Sequence, residues 1–295
     1  MPIIDTHIHL FDTNRPEGVP WPEKTDAALY RPAFPERYAE VSQPFDVVGA
    51  IAVECSPWLS DNDWLLRAAA QSTLIVGVIG DLDPAVSGFA DQLERLHANA
   101  LFRGIRYGNI WGRDLGARLN DREFVKNLGL LPGLGLLFES ANPDPALIRD
   151  LRRLAELVPE LRIVIDHLPQ AVPPQETRAR RIYLDDLAAL SKNPRVFVKG
   201  SETLRGYPRQ APGSLDLYRP WLDEIWDLFG EDRLLFGSDW PHSDNLAPFA
   251  QHLGIIQEYV MAKGAVAAEK FFWRNSATVY RWAPRNRIQG ELISG

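Results

Sequence analysis

Ile3-Ile4-Asp5-Thr6-His7-Ile8-His9-Leu10 opens the chain with a run that reads as a β-strand. Ile3, Ile4, Ile8 and Leu10 supply apolar, mostly β-branched content, and no glycine or proline interrupts them. Side-chain alternation predicts Asp5, His7 and His9 on one face and Thr6, Ile8 and Leu10 on the other. Two imidazoles two residues apart, beside a carboxylate, can converge on one point, as a divalent metal or a general-base site requires. Three polar groups on one strand face are costly unless they are used or satisfied.

Working outward, seven further apolar runs read as strands: Val47–Glu54, Leu74–Ile79, Leu101–Arg106, Gly135–Glu139, Arg162–His167, Arg195–Lys199 and Arg233–Asp239. Helical patterns fall between or after them, at Asp61–Gln71, Gly88–Ala98, Asp121–Leu128, Pro145–Leu157, Ile182–Ser191, Tyr218–Phe229, Ala250–Met261 and Glu269–Trp282. Eight short strands, each followed by a helix or a loop and helix, predict an α/β fold of the closed parallel (β/α)8 TIM-barrel type. Near-continuous hydrophobic strands suit a parallel sheet covered on both faces. A doubly wound open sheet is the alternative, and it is weakened because no Gly-x-Gly-x-x-Gly follows any strand. Residues 1–295 read as a single domain, since no repeat, low-complexity tract or linker divides them. The proline-studded stretch Phe11–Phe45, with a short helix expected at Arg31–Tyr38, reads as a lid or binding loop. Pro169–Gln175 and Ser201–Ser214 read as further loops at the active end.

The 295 residues are 45% hydrophobic and 24% charged, which is enough apolar material for a sizeable core. A net charge of −7 offers no basic patch for nucleic acid or an anionic membrane. Cys55 is the only cysteine, which excludes an intrachain disulfide and a cysteine-cluster zinc site. No run of 18 apolar residues occurs, and the first strand starts at residue 3 with no basic or apolar leader before it. The expectation is a soluble, cytoplasmic protein that acts on a small molecule, with a homo-oligomer left open.

In such barrels the chemistry sits where strands end and loops begin. Parity traced back from each strand end places Asp5, His7 and His9 at strand one, Glu54 at strand two and Arg106 at strand four. Glu139 ends strand five, His167 strand six, and Lys199 and Ser201 strand seven, and Asp239 ends strand eight. Structural alternatives stand beside these roles. His167 alone reads as a satisfied core histidine, Asp239 or Glu139 as a helix cap, and Arg106 as a partner of Glu54 or Glu139. His242 falls where it can line the mouth, whereas His252 reads as a solvated helix residue and His97 as structural. Trp21, Trp58, Trp111 and Trp240 fall in loops, where an aromatic wall for a ligand is plausible.

Several segments together carry a resemblance. Asp5-Thr6-His7-Ile8-His9-Leu10-Phe11-Asp12, Phe102-Arg103-Gly104-Ile105-Arg106, Ile165-Asp166-His167-Leu168, Val198-Lys199-Gly200-Ser201, Leu235-Phe236-Gly237-Ser238-Asp239-Trp240-Pro241 and Asn275-Ser276-Ala277 occur in this order across the chain. The combination resembles the amidohydrolase superfamily, and within it the "amidohydrolase 2" branch of fuconolactonase-, rhamnonolactonase- and pyrone-dicarboxylate-lactonase-like enzymes. The resemblance implies a hydrolase that opens a small sugar-acid or dicarboxylate lactone by water attack. Asp239 would be the general base, with His7, His9 and His167 as further catalytic groups. Arg106, Glu54, Glu139, Lys199, Trp21, Trp240 and His242 would bind substrate. One Zn²⁺ or Mn²⁺ held by His7, His9, Asp239 and Glu54 is expected, with a metal-free mechanism as the alternative. Lys199 and Ser201 stand where binuclear relatives carry a second mid-chain histidine, which argues against a two-metal site. Competing readings are a metal-dependent decarboxylase of an unsaturated acid, an amide or ester hydrolase, and a catalytically inactive sugar-acid binder.

Overall fold

The computed structural model describes residues 1–141, 143–171, 173–205 and 214–294. Most of the expected Ser201–Ser214 loop, residues 206–213, lies outside them, as does residue 172 of the Pro169–Gln175 stretch.

Eight strands form one sheet in sequence order: β1 Ile3–Ile8, β2 Val47–Val53, β3 Ile75–Asp81, β4 Phe102–Gly108, β5 Leu137–Ala141, β6 Arg162–Ile165, β7 Val196–Lys199 and β8 Leu234–Leu235. Every neighbouring pair is parallel. Thr6 N donates to Phe236 O, His9 N to Trp240 O and Asp239 N to His7 O, so the segment after β8 closes the sheet onto β1. This is the (β/α)8 barrel. Ile4, Ile51, Val53, Val76, Ile79, Leu137, Val164 and Leu235 belong to a compact apolar cluster filling the barrel. A larger cluster packs the strands against the surrounding helices. Among the described residues no helix is long and apolar enough to cross a membrane.

The elements depart from the expected ones in three places, two of which shape the site. The pairing of β1 with β2 shifts register between Asp5 and Ile8, so strict alternation fails there. Asp5 therefore does not share a face with His7 and His9. Its carboxylate accepts from Tyr38 Oη at 2.6 Å and from Ser238 N at 2.9 Å, tying β1 to the Pro35–Ser42 helix and to the β8 end. Second, β6 and β8 stop short of His167 and Asp239, both of which adopt left-handed backbone (φ 51° and 60°). After β8 the ladder is replaced: Phe236 N donates to Phe271 O, in a π-helical turn at Lys270–Arg274. That turn lies within the expected Glu269–Trp282 helix, which starts earlier, at Ala265, and ends at Tyr280. Third, a helix at Arg287–Ser294 was not expected. Its buried Gln289 donates through Nε2 to Val48 O and Thr73 O at the amino-terminal end of the barrel.

Candidate active site

At the carboxyl end of the strands lies a cavity of about 250 Å³, room for one small ring compound. His9, Trp21, Arg106, Trp111, His167, Glu202, Asp239 and His242 are among its lining residues. Six described non-glycine residues have left-handed backbone, and four of them, Trp111, His167, Glu202 and Asp239, line this cavity. Left-handed backbone costs a side-chain-bearing residue of order 1–3 kcal/mol, and such strain gathers at functional sites. Here it turns side chains at the ends of β4, β6, β7 and β8 toward one space.

His7, His9 and Asp239 converge. Nε2 of His7 lies 3.3 Å from Nε2 of His9 and 3.4 Å from Asp239 Oδ1, and His9 Nε2 lies 3.1 Å from the same oxygen. A tetrahedral ion with ligands at roughly 2.0–2.1 Å needs donors roughly 3.3 Å apart, so this triangle fits a divalent metal. His9 Nδ1 faces Val53 O at 3.0 Å. A carbonyl only accepts, so that nitrogen carries the proton and Nε2 offers its lone pair. His7 Nδ1 faces both Lys199 Nζ, at 3.0 Å, and Asp166 Oδ1, at 3.7 Å. With Lys199 donating, Nε2 of His7 bears a proton and can donate; with the proton on Nδ1 toward Asp166, Nε2 is a ligand atom.

Below the cavity floor lies a buried ionic layer. Lys199 Nζ donates to Glu139 Oε2 at 2.7 Å and pairs with Asp166 Oδ1 at 3.0 Å, and Glu139 Oε1 accepts from Tyr280 Oη at 2.5 Å. Arg106 Nε donates to Asp166 Oδ2 at 2.8 Å, and its Nη1 to Glu54 Oε1 at 3.3 Å. Four carboxyl groups, Glu54, Glu139, Asp166 and Asp239, thus surround two fixed cations, Arg106 and Lys199. A divalent cation at the histidine triangle would offset that excess, a second reason the donor set fits.

Burial acts first on each titratable group, and its neighbours then decide the outcome. It lowers His7 well below its ordinary value, with Lys199 pushing the same way, and it lowers His167 to about 4, so both rings are neutral near pH 7. For Asp239 burial pulls upward. Attraction to a protonated His167, with the contacts to His242 and His9, outweighs it, and the carboxyl sits well below the usual range. His242 donates from Nδ1 to Asp239 Oδ2 at 2.9 Å, and that bond raises its own affinity for a proton against the effect of burial. Burial raises Glu139 to about 7, with Lys199 opposing.

The structure redistributes several residues named from the sequence. Glu54 stands apart from the donor triangle, its oxygens accepting from Arg106 and from Trp111 Nε1 at 3.2 Å. Glu139 and Lys199 are fully buried and contact His7, Asp166 and Tyr280 instead of the cavity. Trp240 is also fully buried, packed against Tyr38 under the Arg37 guanidinium, and so is not a cavity wall; Trp21 and Trp111 line the cavity. His252 is buried rather than solvated, with Nε2 at 2.9 Å from Ser243 O. Asp166 and Glu202 were not anticipated as site residues. Alternation puts Asp166 opposite His167, and only the left-handed turn at His167 brings both inward. Glu202 follows the end of β7 with no motif to mark it.

An amidohydrolase family model (Amidohydro_2) matches residues 4–282, nearly the whole chain. The chain belongs to the amidohydrolase family. It is 28% identical over 247 residues to an L-fucono-1,5-lactonase of Burkholderia ambifaria, covering 81% of this chain and 80% of that one. A second L-fucono-1,5-lactonase, from Burkholderia multivorans, is 25% identical over 288 residues, covering 93% and 94%. Among solved structures, a Burkholderia multivorans amidohydrolase with bound zinc superposes with a TM-score of 0.84 at 20% identity, covering 96% of this chain and 100% of that one. That last likeness speaks to the fold.

Proposed function

We propose that this amidohydrolase is a lactonase that opens a small carboxylic ester ring. The observation that carries the reading is one ionised carboxylate, Asp239, at the cavity wall, hydrogen-bonded by His242 and beside Nε2 of His9. The two L-fucono-1,5-lactonase relatives support it.

The steps follow from the donors present. Asp239 takes a proton from a water whose oxygen attacks the ring carbonyl. His242 holds Asp239 Oδ2, which leaves the carboxylate in place as the proton arrives. His167 Nδ1 lies 2.8 Å from Ser201 Oγ. With Ser201 donating there, Nε2–H of His167 faces the cavity and can stabilise the developing oxyanion. Such a donor is worth roughly 3–4 kcal/mol in hydrolases. The acyl–oxygen bond of the ring then breaks, and the departing oxygen takes the proton from Asp239. The hydroxy acid released ionises in water. A zinc or manganese ion held by His7, His9 and Asp239 would supply Lewis-acid polarisation of the carbonyl. Arg106 and the two tryptophans hold the ring, and the protein acts on a small molecule.

The test is proton release, followed with a pH indicator, on a panel of aldonolactones and unsaturated dicarboxylate lactones, with and without chelator. Saturable acid release on a lactone supports the proposal, and its loss on chelation with recovery by Zn²⁺ or Mn²⁺ supports the metal. No release from any lactone, or CO₂ release from an unsaturated acid in its place, overturns it.

A further inference from the structure

Asp239 and Glu202 line the cavity and Glu54 sits behind Arg106 and Trp111, and the three carboxylates differ in how fully they are partnered. Asp239 has Oδ2 held by His242 and Oδ1 in the triangle with His7 and His9, and Glu54 has both oxygens engaged, by Arg106 and Trp111. Glu202 differs. It is 3% exposed, and Arg205 Nε grips its Oε2 closely. Oε1 has, among the described residues, only a marginal contact with Arg205 Nη2 at 3.5 Å. A buried carboxylate oxygen without a good donor is costly, and it gains most from a donor brought by a ligand. The backbone at Glu202 (φ 55°) repeats the left-handed turn that aims His167 and Asp239 inward at the ends of the flanking strands. Strain is thus spent to turn an under-partnered anion into the cavity. The charged groups facing it are Asp239, His242 and Arg205, and burial together with Asp239 raises its carboxyl to about 7. With Arg205 on Oε2, the ionised carboxylate accepts a hydrogen bond at Oε1.

We propose that Glu202 is a specificity residue whose Oε1 accepts a hydrogen bond from a ring or side-chain hydroxyl of the lactone substrate. The inference rests on the lactonase reading and deepens it, because it makes the substrate a polyhydroxylated lactone. A dicarboxylate would meet the ionised Asp239 as a like charge, with Arg106 already paired to Glu54 and Asp166. Trp21 and Trp111 provide flat apolar faces for a sugar-like ring, while Glu202 and Gln170 provide polar positions at its edge.

The experiment compares wild type, E202Q and E202A on a sugar-derived δ-lactone and on unsubstituted δ-valerolactone. The quantity read is the ratio of the two kcat/KM values. Wild type should favour the hydroxylated ring, and E202A and E202Q should both lose roughly 10- to 100-fold of that preference, since the one amide oxygen of E202Q stays on Arg205 and its NH2 replaces Oε1. Equal losses on both lactones, or a preference that does not move, overturn the proposal. Calorimetric binding of the ring-opened polyhydroxy acid gives a readout independent of turnover. A wild type that opens no lactone but binds this acid more tightly than E202A refutes the lactonase reading while supporting Glu202. A wild type that binds the acid no better than E202A overturns the role of Glu202.

Discussion

The barrel interior holds two layers a few residues apart, built by opposite rules. The lower layer, with Ile4, Ile51, Val76, Ile79, Leu137, Val164 and Leu235, is apolar and lies within the paired strands, Leu137 and Val164 in unbroken register and Ile4, Ile51 and Ile79 beside register shifts. The upper layer, with His7, His9, Arg106, Asp166, His167, Lys199 and Asp239, is ionic and comes from a shifted register in β1 and left-handed residues after β6 and β8. The lower layer is filled by residues interchangeable in kind, so hydrophobic burial alone secures it. In the upper layer each group is fixed by a specific partner, and losing one leaves another charged or polar group exposed to low dielectric. One layer holds the fold together, and the other holds the strain and charge that the site uses.

Substitutions should separate the two layers. The largest effect is expected at Asp239: D239N should lower kcat by about 10³-fold, beyond what the stability lost with its ionised carboxylate accounts for. L235A below it should cost about 2–5 kcal/mol of stability while leaving kcat within a few-fold, and kinetics with urea denaturation on both variants checks the contrast. A D239N enzyme with near-wild-type turnover would remove the general base from the mechanism.

Lys199 is the next test. K199M leaves Glu139 and Asp166 without their shared cation and should cost about 3–5 kcal/mol. Adding E139Q should recover part of that loss, since a neutral amide no longer needs the ammonium. Recovery of none of it in a double-mutant cycle would mean that Lys199 acts through Asp166 and His7 alone.

The smallest effect is pH-dependent. His167 is held at about 4 in the folded chain against 6.5 when exposed, because burial disfavours its charged form. Its contribution to stability is complete above pH 6.5 and is lost as pH falls toward 4, a span worth about 3 kcal/mol. Unfolding free energies of wild type and H167N should therefore converge by about that amount between pH 7.5 and 4. A difference that stays constant with pH would show that the ring titrates normally.

The sequence legibly determined the barrel, because eight apolar runs separated by helical patterns leave few other ways to bury both faces of a parallel sheet. It also determined which strand ends carry polar groups, and so it named His7, His9, Arg106, His167 and Asp239. What it supplied for side-chain direction was a strict period of two, and that rule holds only while the ladder is regular. Asp5 turned toward Tyr38, Trp240 packed behind the barrel, and Asp166 joined Arg106 and Lys199 because the backbone leaves that rule at the register shift in β1 and beyond the ends of β6 and β8. Such departures are paid for by contacts distant in sequence, such as Phe236 N to Phe271 O, which no local pattern records. Glu202 is the clearest case. Its residue type is ordinary, and only the tertiary structure decided that a buried, half-partnered carboxylate would face the cavity.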